Sequence, residues 1–122
     1  MKFSDSLKKN REFQAVYREK NSYANRLFIM YVKANGTKQN RIGISVSKKV
    51  GNSVVRHRLT RLVREVYRLN EEACERGIDL VIVARPYAKD ADYHAVESAV
   101  MHLFRLHHII RENEEPAKRD PE

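Results

Sequence analysis

The chain has one cysteine, Cys74, so no internal disulfide is possible and a reducing compartment fits. No apolar run approaches the ~18 residues that a membrane-spanning helix requires. The opening residues, MKFSDSLKKNREF, are polar where a secretory signal would be apolar. A cytoplasmic protein is the expectation. Catalytic patterns are missing too. There is no G-x-S-x-G, no Cys–His arrangement, no H-E-x-x-H and no G-x-x-x-x-G-K-[ST]. Nucleophilic hydrolysis, zinc-peptidase chemistry and nucleoside-triphosphate binding therefore find no support. His94, His102, His107 and His108 share the last predicted helix without compact ligand spacing, and read as surface residues. Asp90 and Asp92 read as helix-start residues and not as a metal pair.

Acidic residues are scarce in one stretch above all. Lys and Arg number 24 against 16 Asp and Glu, for a net charge of +8. From Arg41 to Arg68 there are eight basic residues and a single acid, Glu65, so +7 falls within 28 residues. The remaining 94 residues carry 16 basic and 15 acidic groups, a net of +1. Charge spread for solubility alone has no need of such concentration. A patch of this kind points to a polyanion, nucleic acid or acidic membrane.

Length bounds the chain to one compact domain. That domain is expected over residues 1–112, with 113–122, a segment of charges and two prolines, as a mobile tail. Hydrophobic spacing then places the elements. Phe13, Val16 and Tyr17 share a face of a short helix near Asn10 to Lys20. RLFIMYVK, Arg26 to Lys33, reads as a strand, Asn35-Gly36 as a turn, and Arg41 to Ser47 as a second strand paired with the first in an antiparallel hairpin. The longest helix starts near Asn52 or Ser53 and stops before Gly77. Its expected buried stripe is Val55, Leu59, Leu62, Val66, Leu69 and Ala73. IDLVIVA, Ile78 to Ala84, reads as a buried strand, ended by Arg85-Pro86. A last helix is expected from about Asp92 to Asn113, its apolar face including Ile110. The order α-β-β-α-β-α makes an α+β protein: a single-domain sandwich of one small mixed sheet flanked by helices.

At 100° per residue, His57, Arg61, Arg64 and Arg68 lie opposite the buried stripe, with Arg56 and Arg58 on its flanks. Solvated helices ordinarily mix signs to gain i,i+4 pairs, whereas like charges at this density repel by a few tenths of a kcal/mol per pair. Phosphates would neutralise such a ridge, and arginine at five positions favours bidentate phosphate contacts. Just before it, Ser45 to Asn52 brings Lys48, Lys49 and Gly51 to a strand-to-helix junction. Gly51 reads equally as a turn residue or a phosphate contact. Phe13, Tyr17 and Tyr31 are core aromatics or, beside Lys8, Lys9, Arg11, Arg18 and Arg26, stacking platforms for single-stranded nucleic acid. The residues alone leave both readings open. Cys74, at the edge of an apolar stripe, reads as structural.

RIGISVSKKVGNSVVRHRLTRLVREVYR, Arg41 to Arg68, resembles the signature region of the bacterial ribonuclease P protein family: a strand ending in S-K-K/R, then G-N-A-V-x-R-N-R, then a basic helix with R-L-x-R-E. LKKNREFQAVYREKNSYANRLFIMYV and IDLVIVARP resemble that family's opening helix, first strand and late strand. The resemblance covers roughly residues 6 to 108. It implies a ribosomal protein S5 domain 2-like sandwich with a left-handed βαβ crossover. It also implies a protein subunit of the ribonuclease P endonuclease with no catalytic residue of its own. Its catalytic-RNA-binding surface would comprise Lys48, Lys49, Asn52, Arg56, His57, Arg58, Arg61, Arg64 and Arg68. A cleft with Phe13, Tyr17, Tyr31, Lys9 and Arg26 would hold the 5′ leader of precursor tRNA. Magnesium ions held mainly by the RNA would supply the hydrolytic chemistry that yields mature tRNA 5′ ends. Arg56-His57-Arg58 departs from the family's Arg-Asn-Arg, so the middle residue's contact is expected to differ. The rival readings are a generic RNA-binding or ribosome-associated protein, which would ignore the leader, and a protein-only metal nuclease, which would need clustered carboxylates or histidines.

Overall fold

A computed structural model describes residues 1–111. The expected tail at 113–122 and the expected helix end at Asn113 lie outside the described residues. The elements are β1 (Ser4–Ser6), α1 (Asn10–Arg18), β2 (Ser22–Ala24), β3 (Phe28–Ala34), β4 (Asn40–Ser45), α2 (Ser53–Asn70), β5 (Ile78–Ala84) and α3 (Tyr93–Leu106). The expected order is kept, with two three-residue edge strands, β1 and β2, added to it. All five strands form one mixed sheet in the order β1-β4-β5-β3-β2. Helices α2 and α3 cover one face and α1 part of the other, an α+β sandwich.

The most apolar strand takes the centre. β5 runs parallel to β4 and antiparallel to β3, so both of its faces and both of its edges are satisfied. The expected β3–β4 hairpin therefore does not form: β5 lies between the two. Loop 35–39 spans that gap and is pinned from below. Asn35 N–H donates to the Gly77 carbonyl at 2.8 Å, and Asn35 Nδ2 to Asp79 Oδ1 at 2.9 Å. Gly77 has φ +86°, and a Cβ there would come 2.5 Å from the Thr37 carbonyl oxygen, so glycine is what lets loop and strand approach.

Side chains alternate across the sheet. Phe28, Met30, Ile42, Leu80 and Ile82 meet Leu59, Val63, Val66 and Tyr67 of α2 and Val96, Val100, Leu103 and Phe104 of α3. Full burial of each such aliphatic or Phe side chain stabilises by about 1.5–3 kcal/mol. The α2 stripe is rotated from the expected one: Leu69 is 57% exposed, and Val63 and Tyr67 are buried instead. Tyr67 can turn inward because its hydroxyl meets Ser4 Oγ at 2.6 Å and Asn40 Nδ2 at 3.0 Å. The helix stops at Asn70, and Ala73 falls in a 3₁₀ turn, Glu71–Ala73. That turn buries Glu71, whose carboxylate accepts from the N–H groups of Lys2 (2.7 Å) and Phe3 (2.9 Å) and from Ser4 Oγ (2.6 Å). Burial alone would push this carboxyl up, but these donors hold it below the usual range. Strand β1 is thus anchored by a residue nearly seventy positions away.

Helix α3 is capped by Asp92, which accepts from Ala95 N–H at 2.9 Å. It ends at Leu106 and not at Asn113. His108 adopts φ +58°, His108 N–H bonds the Arg105 carbonyl and Ile109 N–H the Phe104 carbonyl, a Schellman stop with histidine in the usual glycine place. The chain then doubles back to bury Ile109 and bridge Ile110 to Cys74. The Cys74 thiol is buried and pushed up to about 12 by burial, so it stays protonated and structural. His107 is not a surface histidine as expected. Its Nε2 lies 2.8 Å from the Met30 carbonyl and its ring packs edge-on to Tyr23.

Candidate nucleic-acid interface

The basic ridge forms on α2, and the side chains within it differ in freedom. Asn52 Oδ1 accepts from Val55 N–H at 3.0 Å and so caps the helix; Asn52→Ala is expected to lower stability by about 1 kcal/mol, read by urea denaturation. Lys48 and Lys49 are exposed in the connection from β4, which buried Val50 fastens to the core. His57 and Arg61 are exposed with no intramolecular partner among the described residues. Arg64 Nη1 reaches Ser6 Oγ at 3.2 Å. Arg68 makes a two-pronged pair with Glu65 at 2.7 and 3.0 Å, an exposed pair of little energetic weight that a phosphate could displace. Two arginines serve the fold: Arg56 donates to the Gly51 carbonyl at 2.9 Å, and Arg58 donates to the carbonyls of Ala91 and Lys89, each at 2.8 Å. The latter clasps α2 to the segment before α3. The ridge is therefore the Lys48, Lys49, His57, Arg61, Arg64 and Arg68 surface, with Arg56 and Arg58 rooted beside it.

On the opposite face of the sheet, α1 covers only part of the strands and packs on a small apolar cluster, the place where the cleft is expected. Leu7, Val16 and Val81 are its buried base; Phe13, Tyr17, Tyr31 and Val83 are half-buried around them. Tyr17 and Tyr31 stand edge to face with centroids 4.8 Å apart. Burial pushes the Tyr17 phenol up, against a lowering hydrogen bond from Ser45, so it remains a neutral donor at physiological pH. The Phe13 ring lies on Gly43, where a Cβ would come 2.6 Å from Cε2 and Cζ of the ring. Gly43→Ala is expected to tilt the ring out of the cleft, because the ring edge can move and the sheet cannot. A changed Phe13 aromatic NMR signal with a nearly unchanged Tm checks this.

One charged cluster positions α1. Arg41 clamps Asp79 through Nε (3.0 Å) and Nη2 (2.7 Å), and its Nη1 donates to Glu12 Oε2 at 3.0 Å. Glu12 Oε1 in turn accepts from the N–H groups of Lys8 (2.8 Å) and Lys9 (2.9 Å), closing the first turn of α1. Burial would raise Asp79, but Arg41 and Asn35 hold it below the usual carboxylate range. Sequence spacing points to none of Arg41, Asp79, Ser45 and Val83 as parts of this site. The one available signal was Asp79, a lone acid inside an apolar strand. Lys9 is exposed at the N-cap of α1 beside the cleft. Arg26 is carried elsewhere: its guanidinium sits 4.4 Å from the Tyr87 ring centroid.

Among the described residues, no group of three or more His, Cys, Asp or Glu is placed to hold a metal ion. The carboxylates of Asp79 and Glu12 are both engaged by Arg41. No described helix is long and apolar enough to cross a membrane.

Known proteins resemble the chain along most of its length. The family model for ribonuclease P matches residues 1–108. The ribonuclease P protein component of Lachnoclostridium phytofermentans is 53% identical over 111 residues, covering 91% of this chain and 96% of its own. That of Alkaliphilus metalliredigens is 48% identical over 110 residues, covering 90% and 99%. The solved RNase P protein of Staphylococcus aureus superposes with a TM-score of 0.81 at 33% identity, covering 87% of this chain and 97% of its own. That of Thermotoga maritima gives 0.75 at 30% identity, covering 82% and 96%. With its fold, basic helix and sequence all in agreement, the chain belongs to the ribonuclease P protein family, as the protein subunit of a tRNA-processing ribonucleoprotein endonuclease.

Proposed function

We propose that this subunit binds the catalytic RNA of ribonuclease P through the α2 ridge and the single-stranded 5′ leader of precursor tRNA in the Phe13–Tyr17–Tyr31 cleft. The observation that carries the second half is the half-covered sheet face, where three aromatic rings stay partly exposed although a buried core lies on the other side. Exposed rings beside positive charge are how single strands are held without sequence readout. Magnesium belongs, in this reading, to the RNA. The protein contributes arginines that replace cations which two approaching RNAs otherwise demand. A larger rate benefit is therefore expected at low magnesium and low salt than at high.

The test uses precursor tRNA labelled at its 5′ end, at low magnesium, with protein alone, a bacterial ribonuclease P RNA alone, and the two together. Only the mixture is expected to release the leader efficiently at the mature terminus. Phe13→Ala and Tyr31→Ala are each expected to weaken binding of leader-bearing tRNA by about 1–3 kcal/mol, leaving affinity for leaderless tRNA unchanged. Equal weakening for both substrates would mark the cleft as a packing site and the protein as a leader-blind RNA binder.

A further inference from the structure

The ridge and the cleft meet along the free edge of β4. Pairing with β1 ends at Ser6↔Ile42, and Leu7 N–H donates to the Ile42 carbonyl at 2.9 Å. Backbone groups alternate sides along a strand. The N–H and C=O of Ile44 therefore turn to the same edge as the Ile42 carbonyl, past the end of β1, where no strand continues among the described residues. Beneath that edge, Ile44, Val46, Ser53, Arg56, His57 and Thr60 line a notch of about 280 Å³. This lies just below the roughly 300–1,000 Å³ of sites for whole drug-sized ligands, a size for one ring system. Its walls are preset. Arg56 is fixed on the Gly51 carbonyl, and Thr60 Oγ1 donates to the Arg56 carbonyl at 2.9 Å.

We propose that this notch takes one unstacked nucleobase of the RNA lying on the α2 ridge, with the neighbouring phosphates on Lys48, Lys49 and Arg61. The inference rests on the ridge facing RNA and adds how the contact is made. An apolar floor of Ile44 and Val46 suits a ring face, while a guanidinium and an imidazole offer planes to stack on it. The open Ile44 N–H and C=O add a donor and an acceptor at the mouth, as the edge of a base requires. The cationic rim favours a phosphodiester chain and opposes strand addition by a second copy of this basic protein. His57 supplies the aromatic plane at a position where the resembled family pattern has asparagine.

The full-length chain, labelled at amides and methyls, is titrated with adenosine 5′-monophosphate, uridine 5′-monophosphate and ribose 5-phosphate. The nucleotides are expected to shift the Ile44 amide and the methyls of Ile44, Val46 and Thr60, whereas ribose 5-phosphate leaves these in place. Thr60→Phe fills the notch, and Ser53→Trp fills it from an exposed helix position that leaves the core intact. Each is expected to abolish the nucleotide shifts and to weaken ribonuclease P RNA binding about ten-fold with an unaltered salt dependence. Identical shifts with ribose 5-phosphate would reduce the notch to a phosphate contact and overturn the proposal. Shifts at residues 44–47 that grow with protein concentration alone would assign the edge to another chain and overturn it as well. Wild-type RNA affinity in both filled variants refutes the notch while the ridge stands. Wild-type affinity after removing Lys48, Lys49, Arg61 and Arg64 refutes the ridge itself.

Discussion

Arg41→Met is expected to lower folding stability by about 1–3 kcal/mol, because it leaves Asp79, 2% exposed, as a buried carboxylate with Asn35 as its side-chain hydrogen-bond partner and the Lys33 charge farther off. Urea denaturation should show a lower midpoint with an unchanged slope. Adding Asp79→Asn to that variant should recover much of the loss, since removing both charges removes the unpaired one. The pH dependence separates charge from packing. In the native protein Asp79 is held below its ordinary value, so its contribution is complete above about pH 4 and fades as pH falls through the folded value. In Arg41→Met the carboxyl has lost the foremost of the groups that hold it down, and burial pushes it up against Asn35 and Lys33. The gap between the two proteins should therefore narrow in acid. A gap independent of pH would mean that Arg41 acts through its stem. Because Arg41 also holds Glu12, the variant should loosen α1 and weaken leader binding beyond its effect on stability.

The quadruple variant Lys48→Ala, Lys49→Ala, Arg61→Ala, Arg64→Ala should flatten the dependence of log Kd on log salt by about 3 units, at ~0.7–0.9 per phosphate contact. Its folding should survive nearly intact, since three of the four side chains have no intramolecular partner among the described residues and the fourth makes one contact at 3.2 Å. Arg58→Ala should behave in the opposite way. Losing two carbonyl contacts detaches α2 from the α3 approach, so Tm falls while the salt slope changes little. Sequence spacing put Arg58 and Arg61 in one ridge; these two measurements tell them apart. Finding that Arg58→Ala alone removes a full unit of slope would return it to the RNA face.

The elements with strong periodicity were legible without coordinates. Helix α2 and its basic outer side follow from spacing, its cap is narrowed to Asn52 or Ser53 by residue type, and β5 follows from an apolar run too short for a helix. The aromatic trio of the proposed cleft is visible as residue types, but only the family resemblance marks it as a site, because packing and stacking need the same side chains. Strands β1 and β2 are invisible in the sequence: SDS and SYA carry no pattern, and β1 is held in place by Glu71, which binds the backbone of Lys2 and Phe3 just before it and the Ser4 hydroxyl within it. Spacing alone carries the last helix too far, because Ile110 keeps the right period, while the chain is stopped by a left-handed His108 that no glycine announces.

By itself, the sequence determined which segments are amphipathic, where charge concentrates and which family the pattern matches, because those are local properties of side-chain order. Only the tertiary structure decided that β5 separates β3 from β4, that Arg41 and Asp79 join α1 to the sheet, and which arginines stay free. These are outcomes of competition between distant groups for the same partners. A strand apolar on both faces gains most by entering the middle of a sheet, where helices cover both sides of it, and a buried acid takes whichever cation reaches it.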